Sequence, residues 1–234
     1  MEVSDRCAEL SERFGLPEGS DDRLLTLLAL LESEPSAVTS VREPAEAVEI
    51  HVADSLAGLA VPEVRSARRI ADIGAGAGLP GLVLAIALPD ASVTLIESVQ
   101  GKAAFIERSA TRLGLGNVEV EAARAEESGA LGSFDVVTSR ALGSLPLVLE
   151  YSAPLLASGE TAVAWKGERD PGEEAAARAA ADELGLSEPS WLEVEQGLVR
   201  GARARHLVTS HKTGVTPDRY PRRPGIARKR PLGS

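Results

Sequence analysis

Ala71-Asp72-Ile73-Gly74-Ala75-Gly76-Ala77-Gly78-Leu79-Pro80-Gly81 is the stretch on which the fold turns. Residues 69–73 read as a short strand entering it, and residues 79–88 as an apolar helix stopped by Pro89-Asp90. Glycines at a strand-to-helix handover remove side chains, so a ligand can come close to the backbone. The unpaired N–H groups at the helix start would face that ligand. In open α/β sheets, ligands sit beyond the carboxyl ends of the strands, which is where this loop falls.

Outward from the loop, strands and helices alternate. Residues 92–96, 118–122, 134–139 and 161–165 read as strands; 99–113, 145–156 and 173–184 read as helices. Residues 191–196 and 205–210 read as two closing strands. This alternation predicts an α/β, Rossmann-like fold: a seven-stranded, mainly parallel sheet covered on both faces. Residues 1–65 form a helical extension. Within it, Leu24, Leu25, Leu27, Leu28, Leu30 and Leu31 give an apolar face after the capping cluster Ser20-Asp21-Asp22, and Pro35 ends that helix. A second helix spans 44–59, with Pro44 in its first turn and Pro62 closing it. Residues 66–211 make the core, and 212–234, rich in Pro, Gly and basic residues, read as an extended tail without core.

Composition narrows the class. Hydrophobic residues make up 44%, enough to bury a sizeable core, but aromatics only 3%, so that core is Ala, Leu and Val. No apolar run approaches the roughly 18 residues of a membrane span. The first residues are acidic and polar, unlike a secretory signal. One cysteine, Cys7, excludes an internal disulfide and fits a soluble, reducing, cytoplasmic setting. The net charge of −10 is uneven: residues 200–234 hold ten Lys/Arg and one acid, leaving 15 basic and 34 acidic side chains in 1–199. An acidic body with a basic tail predicts either a polyanionic partner for the tail or a merely solubilising one.

Two cofactors compete for the loop. Gly76-x-Gly78-x-x-Gly81 matches a dinucleotide fingerprint, with Glu97 near the distance of a ribose-binding acid. Alternatively, Asp72-x-Gly74-x-Gly76-x-Gly78 wraps the amino-acid end of S-adenosylmethionine. Asp72 then suits the ammonium, Glu97 the ribose hydroxyls, and Ala125-Glu126 after the third strand the adenine. The acid before the glycines, the second acidic site and the helical prelude favour the methyl donor.

Methyl transfer from a sulfonium is catalysed mainly by positioning. Cys7 lies far from the loop, which argues against a cysteine nucleophile. The fourth strand ends Thr138-Ser139-Arg140-Ala141, without the Asn/Asp-Pro-Pro-aromatic tetrad of exocyclic-amine methylases. Arg140 sets a fixed cation there, for a substrate or cofactor carboxylate. A ring nitrogen with a free lone pair, such as guanine N7, needs no base and suits this site. Trp165 is either a stacking platform for a flipped base or a buried strand tryptophan. His51 and Asp54 share a helix face and read as structural. His51, His206 and His211 show no metal-ligand spacing, and no Gly-x-Ser-x-Gly or Walker sequence is present.

Several motifs together resemble the small-subunit rRNA methyltransferase G family, also called glucose-inhibited division protein B. They are Thr39-Ser40-Val41-Arg42, His51-x-x-Asp54-Ser55, the glycine loop with its Gly78-Leu79-Pro80-Gly81 ending, and Glu97-Ser98. They continue through Arg124-Ala125-Glu126-Glu127, Ser139-Arg140-Ala141, Trp165-Lys166-Gly167, Arg205-His206-Leu207-Val208 and Tyr220-Pro221-Arg222-Arg223-Pro224-Gly225, covering nearly the whole chain. The chain departs from the family pattern at Ala37-Val38 and at Gly101-Lys102.

The resemblance implies N7 methylation of one guanine of 16S rRNA, nucleotide 527 in the 530 loop, by a monomeric enzyme without metal or membrane partner. It also implies that Gly74, Leu79, Ala125, Glu126 and Arg140 contact the cofactor, with Glu97 on its ribose. Arg140, Lys166 and Arg124 then serve catalysis, while Arg205, His206, Arg222 and Arg223 face RNA. Two rivals remain at this point: a methyltransferase of a small molecule or protein, indifferent to loss of residues 212–234, and a non-catalytic nucleotide-binding protein.

Overall fold

The computed structural model describes residues 2–35, 39–41, 43–201 and 204–233; Ala37, Val38 and Arg42 lie outside them. Five strands run parallel: β1 (Arg69–Ile73), β2 (Ser92–Ile96), β3 (Val118–Glu121), β4 (Phe134–Arg140) and β5 (Leu156–Lys166). β7 (His206–His211) is antiparallel to β5 and to β6 (Ser190–Glu193). The sheet order is β3-β2-β1-β4-β5-β7-β6, so the strand order reverses between β1 and β4. Ligands of such sheets bind at that reversal.

Both faces of the sheet are buried, which is why its central strands are continuously apolar. Ile70 and Val136 face one core; Ala71, Ile73 and Val137 face the other. The first core is closed by α1 (Val3–Phe14), α2 (Ser20–Ser33), the helical residues 44–66 with α3 (Pro44–Ala47), α4 (Asp54–Leu56) and α5 (Pro62–Ser66), then α6 (Gly81–Ala87) and α7 (Gln100–Leu113). The second is closed by α8 (Leu145–Ser152), α9 (Pro171–Leu184) and the C-terminal segment with its short α10 (Ile226–Lys229).

The apolar face of α2 is built by Leu24, Leu27, Leu28 and Leu31, all buried at helical spacing. Each contributes about 1.5–3 kcal/mol of burial. Its N-cap is Gly19, with no side-chain cap, so Asp21 and Asp22 act on the helix dipole and the expected capping cluster is absent. The second N-terminal helix begins as expected: Glu43 Oε2 accepts from Glu46 N–H (2.7 Å), with Pro44 in the first turn. It then widens into a π-helical stretch, Val48–Ala53, and continues through Asp54–Leu56 into a 3-10 turn, Ala57–Ala60. Pro62 opens a further short helix, Pro62–Ser66, because the residue before a proline, Val61, is extended.

Two segments differ from their sequence reading. The helix expected over 145–156 stops at Ser152, and β5 starts at Leu156, because Pro154 can supply no helical N–H. Residues 212–233 of the expected tail are folded: Tyr220, Ala227 and Leu232 are buried in the second core. Arg222 reaches the fully buried Glu150 with two hydrogen bonds, from Nε to Oε1 (2.7 Å) and Nη2 to Oε2 (2.5 Å). Tyr220 and Arg219 both donate to Glu183. A composition rich in Pro and basic residues hides three anchors that bury only against a finished core.

Candidate active site

Among the described residues, two cavities that share Leu142 lie at the carboxyl ends of the parallel strands. The smaller, about 160 Å³, is lined by Gly74 after β1, Ile96 and Ser98 at β2, Ala123–Glu126 after β3, Leu142 after β4, and Tyr151, Gly225 and Arg228. The larger, about 410 Å³, is lined by residues 139–143 after β4, 165–167 at the end of β5, Arg205, and Thr39, Ser40, Val41, Ile50, His51 and Asp54 from the N-terminal segment. Leu142 lines both and stands between them. Ala141, just before it, adopts a left-handed backbone (φ 57°). For a residue with a Cβ this costs about 1–3 kcal/mol, strain of the kind that collects at functional sites.

The glycine loop is held from behind. Asp72 is fully buried and accepts from Gly81 N–H through Oδ2 (2.9 Å) and from the Thr138 hydroxyl through Oδ1 (3.0 Å). A Cβ on Gly81 would stand 2.9 Å from that same Oδ2. Burial pushes the Asp72 pKa up to about 7, against the pull of those two hydrogen bonds. Asp72 lines neither cavity, so the expected contact with the cofactor's ammonium is replaced by a brace between β1, β4 and α6. Glu97 takes the loop's other side: Oε2 accepts from Gly76 N–H (2.8 Å) and Oε1 from Val99 N–H (2.7 Å). Gly74 has φ 65°, and a Cβ there would come within 2.4 Å of Leu142.

Of the expected cofactor residues, Gly74, Ala125 and Glu126 line the smaller cavity and Arg140 the larger. Gly76, Gly78, Leu79 and Glu97 shape the loop behind them; Gly78 leaves room for Leu82 and Ile106. Glu126 Oε1 accepts from the Tyr151 hydroxyl (2.9 Å) and from Gly225 N–H (3.0 Å). The apolar walls Ile96, Ala123, Ala125 and Leu142, the carboxylate of Glu126 and the side-chain-free turn at Gly74 fit an adenosyl group with an amino-acid end.

The larger cavity gathers several charged and hydrogen-bonding side chains on a largely apolar lining. Arg140 Nη1 donates to Ile50 O (2.7 Å) and to Asp54 Oδ2 (3.0 Å). Asp54 Oδ1 faces Arg205 Nε at 3.2 Å, an ion pair without hydrogen-bond alignment. Lys166 Nζ donates to Glu173 Oε1 (2.7 Å) and Gly143 O (3.3 Å). His51 Nε2 bonds the Thr39 hydroxyl (3.0 Å). Burial first, and then the Arg140 charge, pull the His51 pKa down to about 4, so its ring is neutral at pH 7. Three cavity atoms, His51 Nδ1, Asp54 Oδ1 and Ser139 Oγ, are buried and have no hydrogen-bond partner among the described residues. Groups like these are rare in folded proteins and call for an explanation.

Trp165 is buried in the first core and donates from Nε1 to Asp54 O (2.7 Å); it is the packed strand tryptophan, not an open platform. Arg124 is exposed on the rim of the smaller cavity, away from the larger one. Arg222 is locked to Glu150, so the expected RNA-facing role does not fit its position, while Arg223 is exposed. His206 Nδ1 bonds Gly167 O (2.8 Å), and its ring lies edge-on to Trp191. Cys7 is buried, its thiol pushed up to about 12 by burial. His51 and Asp54, read as structural, are cavity residues. Their i, i+3 spacing was visible; the partner of Asp54, Arg140, is 86 residues away in sequence.

A glycine loop between β1 and α6, at the reversal of a seven-stranded sheet whose β7 is antiparallel, defines a class I S-adenosylmethionine-dependent methyltransferase. A dinucleotide domain of order 3-2-1-4-5-6 lacks that inserted strand. In solved structures the fold recurs in an S-adenosylmethionine-dependent methyltransferase from Aquifex aeolicus. The TM-score is 0.56 at 17% identity, over 76% of this chain and 98% of that one. The family model for rRNA small subunit methyltransferase G matches residues 23–207. Ribosomal RNA small subunit methyltransferase G of Rubrobacter xylanophilus is 41% identical over 83% of this chain and 77% of its own length. That of Sorangium cellulosum is 40% identical over 86% and 82%. The chain belongs to the rRNA small subunit methyltransferase G family.

Proposed function

We propose that this chain methylates N7 of one guanine of 16S rRNA, nucleotide 527 in the 530 loop, with the smaller cavity holding S-adenosylmethionine and the larger one the guanine. The observation that carries this reading is a pair of buried polar atoms, His51 Nδ1 and Ser139 Oγ, without a hydrogen-bond partner among the described residues, in a cavity that shares Leu142 with the cofactor cavity. In the reaction the N7 lone pair forms the new N–C bond as the methyl C–S bond breaks, its electrons going to sulfur. No proton leaves N7, so a cavity whose histidine is neutral and whose other titratable groups are ion-paired is sufficient.

The protein's part is to bind and orient. Gly74, Ala125 and Glu126 receive the adenosyl group, with Glu97 fixing the loop on the ribose side. Arg140, held by Asp54 and Ile50 O, and Lys166, held by Glu173, are fixed cations for the base's O6 or an adjacent phosphate. A guanine entering the cavity must leave its stack. Arg205, already on Asp54, and the exposed Arg223 serve the RNA strand.

The test is transfer of labelled methyl groups to small ribosomal subunits and their naked RNA from a strain lacking this modification. Methylated positions are then mapped by cleavage at 7-methylguanine. One modified guanine in the 530 loop is the expected result; S-adenosylhomocysteine binding without RNA labelling would overturn it. Loss of residues 212–234 no longer separates an RNA substrate from a small-molecule one, because that deletion also removes Tyr220, Ala227 and Leu232 from the core.

A further inference from the structure

The C-terminal segment was expected to serve RNA, yet its best-held part closes the other cavity. Residues 219–233 cross the outside of α8 and are fastened at several independent points. Arg222 binds Glu150, and Tyr220 binds Glu183. Ala227 and Leu232 are buried in the second core, and Gly233 packs against Ala176 so closely that a Cβ would lie 2.3 Å from its carbonyl oxygen. Between these anchors the strap touches the cavity. Gly225 N–H donates to Glu126 Oε1 (3.0 Å), the carboxylate that sequence reading assigns to the adenine. Arg228 lines the cavity and donates from Nη2 to Leu142 O (3.3 Å), on the residue that divides the two cavities.

We infer that this strap is a wall of the cofactor site and that Arg228 contacts the adenine ring of the bound nucleoside. A guanidinium has five donors and a flat face that stacks on aromatic rings. Arg228 is exposed at the cavity and, among the described residues, makes one hydrogen bond, which leaves further donors for a planar heterocycle. The rest of the wall matches such a ring: Ile96, Ala123, Ala125 and Leu142 offer apolar surface, and Glu126 an acceptor for an exocyclic amine. Arg223, Lys229 and Arg230 are exposed on the same strap. RNA that engages those cations therefore acts on an element that also holds the cofactor, and the coupling is reciprocal.

The inference rests on the assignment of the smaller cavity to the adenosyl group. The experiment is calorimetric titration of the full chain with S-adenosylhomocysteine, for the native protein, Arg228→Gln and Lys229→Gln, with thermal melts as a check on folding. Loss of a cation–ring contact lowers affinity by about tenfold in Arg228→Gln. Lys229→Gln, exposed and outside the cavity lining, binds as the native protein does. Hydrogen exchange supplies a second readout: the ligand slows exchange at Gly225 and in α10. Native affinity in Arg228→Gln, with no slowing in the strap, overturns this inference alone. Native protein that binds no S-adenosylhomocysteine overturns the cofactor assignment and this inference with it.

Discussion

The two ends of the chain cover opposite faces of one sheet and serve opposite cavities. The N-terminal segment, read as a bare helical prelude, carries the carboxylate Asp54 to the larger cavity, where it pins Arg140 and faces Arg205. The C-terminal segment, read as a basic arm for RNA, carries Gly225 and Arg228 to the smaller cavity. Charge along the chain therefore does not predict which cavity a segment serves. An acidic helix supplies the anchor for the cations of the larger cavity, and a basic strap completes the lining of the smaller one.

Four measurements press on that contrast. The largest effect is expected in Arg222→Ala. Removing it leaves the Glu150 carboxylate buried and unpaired, which costs about 3–5 kcal/mol. At about 2–4 °C per kcal/mol for a domain of this size, the melting temperature drops by roughly 6–20 °C. A loss of under about 1 kcal/mol, within the range of an exposed ion pair, would make the strap peripheral.

Asp54→Ala comes next. Arg140 loses its carboxylate partner, and a misplaced positioning group costs about 100-fold in methyl-transfer rate. S-adenosylhomocysteine affinity should stay within about threefold, well under the 1.4 kcal/mol of a tenfold change. An equal loss of cofactor affinity would show that the two cavities are one site.

Asp72→Asn should act in the other direction. The folded-state pKa of Asp72 is raised, so its stabilisation is full below about pH 4 and is lost as pH rises through about 7. Asparagine keeps an acceptor for Gly81 and carries no buried charge. The variant should match the native protein near pH 4 in stability against denaturant, and exceed it at pH 8 by about 1 kcal/mol or more. Retained S-adenosylhomocysteine binding would support Asp72 as a brace and not a ligand.

The smallest effect is that of Arg223→Gln. Thermal stability should not move, and the salt dependence of binding to a 530-loop fragment should flatten by about one unit of slope at most. A change in melting temperature would place Arg223 among the strap's anchors instead.

Much of the sheet is legible in the sequence alone. Residues 69–73 and 92–96 match β1 and β2 to the residue, because parallel strands buried on both faces are short apolar runs with clear stops. Boundaries slipped where one residue changed the local rule: Pro154 shortened α8, and Pro62 began a helix where an end was expected. The glycine loop, Glu97, Ala125, Glu126 and Arg140 were readable as candidates because each lies at or within a few residues of a strand end. Leu142, Tyr151, Gly225 and Arg228 gave no such sign, since the smaller cavity they line forms only after α8 and the strap have packed.

By itself, the sequence determined the alternation of strands and helices, the glycine turn at the end of β1, and the family to which these motifs belong. Those depend on local spacing, periodicity and backbone freedom, which neighbouring residues carry. Tertiary structure decided what Asp72, Asp54, Trp165 and Arg222 do. A carboxylate, an indole or a guanidinium can serve a ligand or a core equally well by its chemistry. The choice is made by burial and by the partner that arrives from elsewhere in the chain: Gly81 and Thr138 for Asp72, Arg140 for Asp54, the Asp54 carbonyl for Trp165, Glu150 for Arg222.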